Sequence, residues 1–108
     1  MRRLYWEDNF DGPFGSAADE RIWHAQVGGH GWGNEELQYY TAGKENAFLD
    51  GEGSLSIVVH RLDASLSAYG NRFYTSARLT TRDRFSIRYG LIQARMKLPQ
   101  AFGLWPAF

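Results

Sequence analysis

The chain has 108 residues, 44% of them hydrophobic and 22% charged, and this length supplies enough apolar material for the core of one modest domain. Its 12 basic and 12 acidic side chains balance, so there is no electrostatic case for binding nucleic acid or an anionic membrane. The absence of cysteine excludes disulfides, a thiolate nucleophile and a Cys-ligated metal, but leaves the compartment open.

The N-terminal segment begins with two arginines that no apolar run follows. Leu4, Tyr5 and Trp6 give way at once to Glu7 and Asp8. A signal peptide or a membrane span needs a longer apolar stretch than these residues provide. The sequence therefore shows no signal peptide, and we expect a soluble chain.

In the central part of the chain, apolar and polar residues alternate with a period of two, and no helical periodicity is present. Leu55, Ile57 and Val59 alternate with polar residues, a pattern that predicts a half-buried strand. The segment Asp50–Gly53 before it has the composition of a turn. We therefore expect a strand that follows a tight turn.

A second alternating stretch covers Phe73–Thr80. It places Ser76 and Arg78 on a polar face that we expect to be solvent-exposed. The turn residues Tyr69–Asn71 precede it and end a segment, Asp63–Ala68, that is read as a polar linker.

The apolar alternation resumes over Phe85–Leu98 and changes phase at Gly90. A shift of one residue turns every side chain to the other face, so Gly90 is predicted to be a bulge or a sharp bend between two strand arms. Several short strands with turns at this spacing predict an all-β sandwich.

The titratable residues do not form a recognisable catalytic or metal motif. Glycosidic bond cleavage commonly uses two carboxyl groups, about 5–5.5 Å apart in retaining enzymes. Glu35 and Glu36 are adjacent and so point to opposite faces of a strand, and we interpret them as solvated or turn carboxylates. The spacing of the three histidines, and the lack of Cys companions, argue against zinc. A Ser-based nucleophile elbow and a phosphate-binding Gly loop are also absent.

Five blocks that cover nearly the whole chain are WEDNFDG (6–12), WGNEELQYYT (32–41), YTSARLTT (74–81), YG with ARMKLP (89–99) and GLWPAF (103–108). In this order they resemble the N-terminal half of glycoside hydrolase family 16, in its laminarinase-like branch. The resemblance implies a β-jelly-roll sandwich of the concanavalin A-like type. It also implies a concave cleft and a retaining endo-acting hydrolase of β-1,3- or mixed β-1,3/1,4-glucans.

The resemblance also implies where the catalytic groups lie. The family's catalytic strand, with its Glu-x-Asp-x-x-Glu pattern, is expected beyond Phe108. Residues 1–108 are then the N-terminal portion of a single jelly-roll domain, with no catalytic carboxylate of their own. We therefore expect this chain to be inactive alone and to require the C-terminal half of its domain as a partner.

Three residues resemble substrate-binding positions of the family, and each has an alternative reading. Asn34 can contact sugar hydroxyls or stabilise its own turn. Arg78 can line the cleft or be an ordinary surface arginine. Trp105 can stack on a pyranose ring or seal the core. Trp32 and Tyr39 are further candidates, for which packing is the favoured reading.

The chain departs from the family pattern in one place and leaves calcium unassigned. Many relatives carry Arg after the Tyr-Gly pair, whereas this chain has Leu91. Their structural cation is held partly by an acidic residue of the first strand, where this chain reads Asp8-Asn9, and partly by an Asp in the C-terminal half. We therefore assign no cofactor and no metal ligand to these residues.

The resemblance leaves two functions open. The expected partner is a β-glucan polysaccharide, and a polymer of that size implies an extracellular or secreted enzyme. The alternative is a non-catalytic β-1,3-glucan recognition protein of the same fold.

Overall fold

Short strands make up the regular structure of this chain, for which a computed structural model describes residues 1–108. The seven strands are β1 His24–Gln26, β2 Gln38–Tyr40, β3 Ala47–Leu49, β4 Leu55–Ile57, β5 His60–Leu66, β6 Arg72–Ser76 and β7 Arg78–Thr80. Two 3-10 turns, Gly31–Gly33 and Ser67–Tyr69, are the only helical elements, and neither could cross a membrane. The predicted all-β class is confirmed.

The strands form three small sheets. β1 pairs with β7 in antiparallel fashion, and Gln26 lies directly opposite Arg78. β6 is the central strand of the second sheet, with β2 parallel on one side and β5 antiparallel on the other. β3 and β4 form an antiparallel hairpin. The loop before β2 lies close to the start of β7, where Arg78 meets Trp32.

The turn predicted over Asp50–Gly53 closes the β3–β4 hairpin. The Asp50 side chain accepts hydrogen bonds from the backbone N–H groups of Glu52 (2.8 Å) and Ser54 (3.0 Å). Gly51 and Gly53 have φ angles of +79° and +85°, values that glycine adopts without steric cost. The turn prediction is confirmed, and an aspartate that binds backbone N–H groups explains why the chain reverses here.

A buried polar network joins the sheets at Asn46, which is 0% exposed. Its amide nitrogen donates to the carbonyl of Val58 (2.9 Å) and to the hydroxyl of Thr75 (3.1 Å). Its carbonyl oxygen accepts a hydrogen bond of 2.6 Å from Thr41. Because buried polar groups destabilise a fold unless they are paired, this complete pairing fixes how β2, β3 and β6 meet.

The stretch Phe73–Thr80 is two strands and not one, so the sequence prediction is wrong at this point. The chain leaves the second sheet after Ser76 and joins the first at Arg78, with Ala77 between them. Thr75, Ser76 and Ala77 are all buried. Ser76 therefore does not lie on a solvent-exposed face, because the chain is buried on both sides where it crosses between the two sheets.

Two further predictions differ from the structure. The segment read as a polar linker forms the end of β5 and the second 3-10 turn, because its backbone pairs with β6. The predicted strands over Phe85–Leu98 are absent, although a bend does occur at Gly90, where φ is +144°. A strand needs a hydrogen-bonded neighbour, and no strand of this chain pairs with residues 81–108.

Candidate functional site

The loop Gly31–Glu36 has an unusual backbone for its composition. Trp32 and Glu35 adopt the left-handed region, with φ of 53° and 55°. A non-glycine residue in this region costs about 1–3 kcal/mol and needs surrounding contacts to hold it. Here the Trp32 indole N–H donates to the Gly28 carbonyl (3.1 Å), and Glu36 N–H donates to the Gly31 carbonyl (3.1 Å). The loop is therefore fixed at both ends.

Glu36 lies at the centre of a cluster of polar side chains that follows this loop. It precedes β2, and the period of two places Glu36, Gln38 and Tyr40 on one face. One carboxylate oxygen of Glu36 accepts hydrogen bonds from the Gln38 amide (2.7 Å) and the Tyr40 hydroxyl (3.2 Å). The other lies 3.5 Å from the amide nitrogen of Asn34, a long hydrogen bond.

These contacts set the protonation states in the cluster. The hydrogen bond from Gln38 is the main cause that lowers the pKa of Glu36, and those from Asn34 and Tyr40 and the charge of Arg78 lower it further against a desolvation effect. Burial raises the pKa of Tyr40, and the neighbouring Glu36 carboxylate raises it further. At neutral pH Glu36 is therefore an anion, and Tyr40 is a neutral hydrogen-bond donor.

Arg78 occupies the other side of the cluster. Its Nε donates to the side-chain carbonyl of Gln26 (2.6 Å), across the register of β1 and β7. Its guanidinium carbon lies 5.0 Å from the centroid of the Trp32 ring, a cation–π contact. Tyr40 packs edge-on against the same indole at 5.3 Å. Arg78 is thus held by an amide and by an aromatic face while remaining exposed.

The structure brings two of the three predicted substrate-binding residues to one cluster. Asn34 joins the cluster by its hydrogen bond to Glu36, and Arg78 joins it by its contact with the Trp32 ring. Trp105 is 88% exposed and makes no ring contact within this chain, so it neither joins the cluster nor seals a core here. The sugar-binding roles of all three stay predictions.

The two further aromatic candidates make packing contacts. The Trp32 ring is flanked by His30, at a centroid distance of 4.5 Å, as well as by Arg78 and Tyr40. Tyr39 packs against Tyr69 at 5.7 Å. Trp32 therefore serves as a support for Arg78.

Sequence reasoning missed Glu36, which it interpreted as solvated or turn-forming. The carboxylate is half-buried and accepts hydrogen bonds from three side chains. The signal that could have found it is the alternation Glu36-x-Gln38-x-Tyr40, which places one acceptor and two donors on the same face.

The cluster suits the recognition of sugar hydroxyls, and the Asp8 carboxylate is engaged in other contacts. The amide carbonyls of Asn34 and Gln38 have no partner in the chain and can accept from sugar hydroxyls, and the Arg78 guanidinium can donate to them. The Asp8 carboxylate already accepts hydrogen bonds from Trp23 (2.7 Å) and Phe10 (2.8 Å), and no group of three acidic or histidine residues surrounds it. These residues do not by themselves fit a calcium ion.

The cluster lies on an open face of the chain. Two of the surface depressions, of about 250 and 280 Å³, are lined by residues other than Asn34, Glu36 and Arg78. Asn34 and Arg78, on the two sides of the cluster, are both exposed to solvent.

Comparison with known proteins confirms the resemblance to the laminarinase-like branch of glycoside hydrolase family 16. No family model matches the chain. The laminarinase of Rhodothermus marinus has a solved structure that matches with a TM-score of 0.69 and 49% identity over 81% of this chain and 32% of that one. A non-specific endo-β-1,3(4)-glucanase of family GH16 also matches with a TM-score of 0.69, at 35% identity over 82% of this chain and 34% of its own.

Curated relatives agree with these structures. The chain is 47% identical to a β-glucanase of Rhodothermus marinus over 96% of its own length and 34% of the relative's. It is 34% identical to the glucan endo-1,3-beta-glucosidase A1 of Niallia circulans, over 96% of its own length and 16% of the relative's. The clotting factor G alpha subunit of Tachypleus tridentatus is 41% identical over 98% of this chain and 14% of its own length. The chain therefore spans about a third or less of each of these three relatives.

Proposed function

We propose that this chain forms part of the substrate-binding face of a retaining, endo-acting glycoside hydrolase that cleaves β-1,3- or mixed β-1,3/1,4-glucans. The observation that carries the proposal is the cluster of Asn34, Glu36 and Arg78, which offers fixed donors and acceptors for sugar hydroxyls. It lies in a segment that is 47% identical to a protein named as a β-glucanase. In this proposal residues 1–108 are the N-terminal portion of a single domain.

The catalytic carboxylates of the proposed enzyme lie outside this chain. A general acid for glycoside cleavage needs a raised pKa, whereas hydrogen bonds lower the pKa of Glu36. The adjacent Glu35 is exposed and makes no side-chain hydrogen bond. The role of this chain is therefore to bind and orient the glucan next to acids that other residues supply.

The exposed apolar surface supports a requirement for further polypeptide. Only 7 of the 108 residues are buried, and the exposed apolar side chains of the last twenty residues include Leu91, Met96, Leu98, Trp105 and Phe108. A concentration of exposed apolar side chains of this kind is typical of a surface that further polypeptide covers. We propose that the C-terminal half of the same domain covers it and that the complete enzyme acts outside the cell, because its substrate is a polymer.

Two assays test this proposal. The purified chain, mixed with laminarin, is expected to release no reducing ends, and reproducible hydrolysis would show that it holds catalytic groups after all. In a chimera, this chain replaces the matched segment of the Rhodothermus marinus β-glucanase, and we expect laminarin hydrolysis within about tenfold of the parent enzyme. A folded chimera without activity would contradict the proposed role.

Arg78→Ala in the chimera tests the site itself. Loss of a guanidinium that hydrogen-bonds a sugar is expected to lower kcat/KM for laminarin by about tenfold to a hundredfold. Arg61→Ala is the matched control, because Arg61 is an exposed arginine on β5 without a side-chain hydrogen bond or ring contact. Equal activity of the two variants would remove Arg78 from the site.

A non-catalytic glucan-binding protein of the same fold is the second candidate. It is favoured by the 41% identity to a clotting factor subunit, whose name describes no hydrolysis. Reading the coding sequence that follows residue 108 separates the two functions. A Glu-x-Asp-x-x-Glu strand supports the enzyme, and replacement of both glutamates supports the binding protein.

A further inference from the structure

We propose that Glu36 is a positioning residue, whose carboxylate fixes the orientation of the Asn34 and Gln38 amides so that both amide carbonyls face the glucan as acceptors. This inference rests on the proposed function for its ligand. The orientation itself is a property of the cluster and can be measured without any sugar.

The hydrogen-bond pattern gives the orientation its direction. A carboxylate anion only accepts, so the groups that face Glu36 must be the NH₂ ends of Asn34 and Gln38. The carbonyl end of each amide then points away from Glu36, and neither has a partner in the chain. A neutral side chain at position 36 could accept from one amide and donate to the next, and the amides would then be free to turn over.

The surroundings of Glu36 keep it charged. The titratable groups that face it are Tyr40, which donates its hydroxyl to the carboxylate, and Arg78, whose charge lowers the pKa of Glu36. Both favour the anion. The left-handed backbone at Glu35 directs the chain so that Glu36 meets Gln38 and Tyr40, while Glu35 itself stays exposed.

The consequence is a specificity for hydroxyl donors. Two fixed carbonyl acceptors beside the Arg78 donor match a sugar edge that both donates and accepts hydrogen bonds. A ligand that carries ethers in place of hydroxyls leaves these acceptors unpaired. We therefore expect methylated laminari-oligosaccharides to bind the cluster more weakly than the unmodified ones.

The first test follows the side-chain amide signals of Asn34 and Gln38 by NMR during an acid titration of the full chain. Both pairs of signals are expected to shift together, with a midpoint below about 4.3, the ordinary value for glutamate. The shift is expected to vanish in Glu36→Gln and to remain in Glu35→Gln, the matched control. The inference is overturned if the amide signals do not shift with pH, or if they shift equally in Glu36→Gln and Glu35→Gln.

The second test measures kinetics in the chimera, which keeps the question decidable if the isolated chain does not stay in solution. Glu36→Gln is expected to raise KM for laminari-oligosaccharides by about tenfold with kcat within about twofold, because a lost binding orientation weakens the ground state and the transition state alike. Glu35→Gln is expected to leave both constants unchanged. A fall in kcat at constant KM would indicate a loss of folded enzyme and would contradict positioning.

The outcomes separate this inference from the proposed function. An active chimera with an unaltered KM in Glu36→Gln overturns the positioning role and leaves the proposed function intact. A folded chimera that neither binds nor cleaves glucan overturns the proposed function, and the amide titration still decides whether Glu36 orients the two amides.

Discussion

Two regions of this chain differ in how much of their structure is held by contacts within residues 1–108. Contacts within the chain hold the region around β2 and β7: Asn46 hydrogen-bonds to three partners, and the Glu36 carboxylate accepts hydrogen bonds from three side chains. The segment after Phe85 has bends and turns but no strand, and all of its residues are exposed. The first region is complete in itself, and the second is apolar surface that lacks a cover.

The difference follows from the reach of the two kinds of interaction. Hydrogen bonds in the first region join residues of neighbouring strands and loops, so each pair is satisfied as soon as the strands meet. The alternating apolar residues of the second region can be buried only by a facing layer. Contacts within residues 1–108 can therefore form the site, whereas burial of the apolar segment depends on a second layer of sheet.

The largest effect on stability is expected from a substitution of Asn46, the buried amide of the region around β2 and β7. Asn46→Ala leaves the buried hydroxyl of Thr75 and the half-buried carbonyl of Val58 without their donor. We expect a loss of about 2–4 kcal/mol in the free energy of unfolding of the chimera, measured by denaturant titration. Asn9→Ala is the control, because Asn9 is exposed and makes no side-chain hydrogen bond. A change below about 1 kcal/mol would show that the network does not hold the sheets together.

A second prediction compares the same substitution in two contexts. Trp105 is 88% exposed in this chain, so Trp105→Ala is expected to leave its stability unchanged within about 0.5 kcal/mol. In the chimera, where further strands cover the segment, we expect either a loss of about 1.5–3 kcal/mol if the indole is buried or a rise in KM if it faces the glucan. Thermal unfolding and laminarin kinetics measure the two effects. If Trp105→Ala changes neither the stability nor the KM of the chimera, the segment after Phe85 remains exposed there as well.

The sequence predicts the two regions unequally well, for physical reasons. The turn at Asp50–Gly53 and the bend at Gly90 follow from local conformational preferences, and both are present. The strands over Phe85–Leu98 are a sound reading of alternation, but they fail here because pairing is not a local property. Alternation reports which face could be buried and does not report whether a neighbour exists.

The candidate site, too, could be predicted from the sequence only in part. Asn34 and Arg78 were found through the family resemblance, and the structure adds how they are held. Gln26 and Arg78 are more than fifty residues apart in the sequence, and the register of β1 against β7 brings them together. The role of Gln26 could therefore not be predicted from local sequence. Only the spacing of Glu36 from Gln38 and Tyr40 was visible in the sequence. A carboxylate paired with amides lacks the partner carboxylate that marks a glycosidase acid pair in a sequence.

The smallest expected effect concerns the loss of stability in acid, and it sharpens the contrast because the segment after Phe85 contains no carboxylate side chain. Hydrogen bonds lower the pKa of Glu36 in the folded chain, so its contribution to stability is fully present above the ordinary glutamate value of about 4.3. It is lost as the pH falls through the lower pKa of the folded state, because the protonated acid no longer accepts from Gln38 and Tyr40 as an anion. The melting temperature of the chimera is therefore expected to exceed that of its Glu36→Gln variant at neutral pH, and the gap is expected to close in acid. The Glu35→Gln variant should follow the unaltered chimera at every pH, since Glu35 makes no side-chain hydrogen bond. A gap that persists unchanged below the folded pKa would mean that the shape of the Glu36 side chain, and not its charge, holds the cluster.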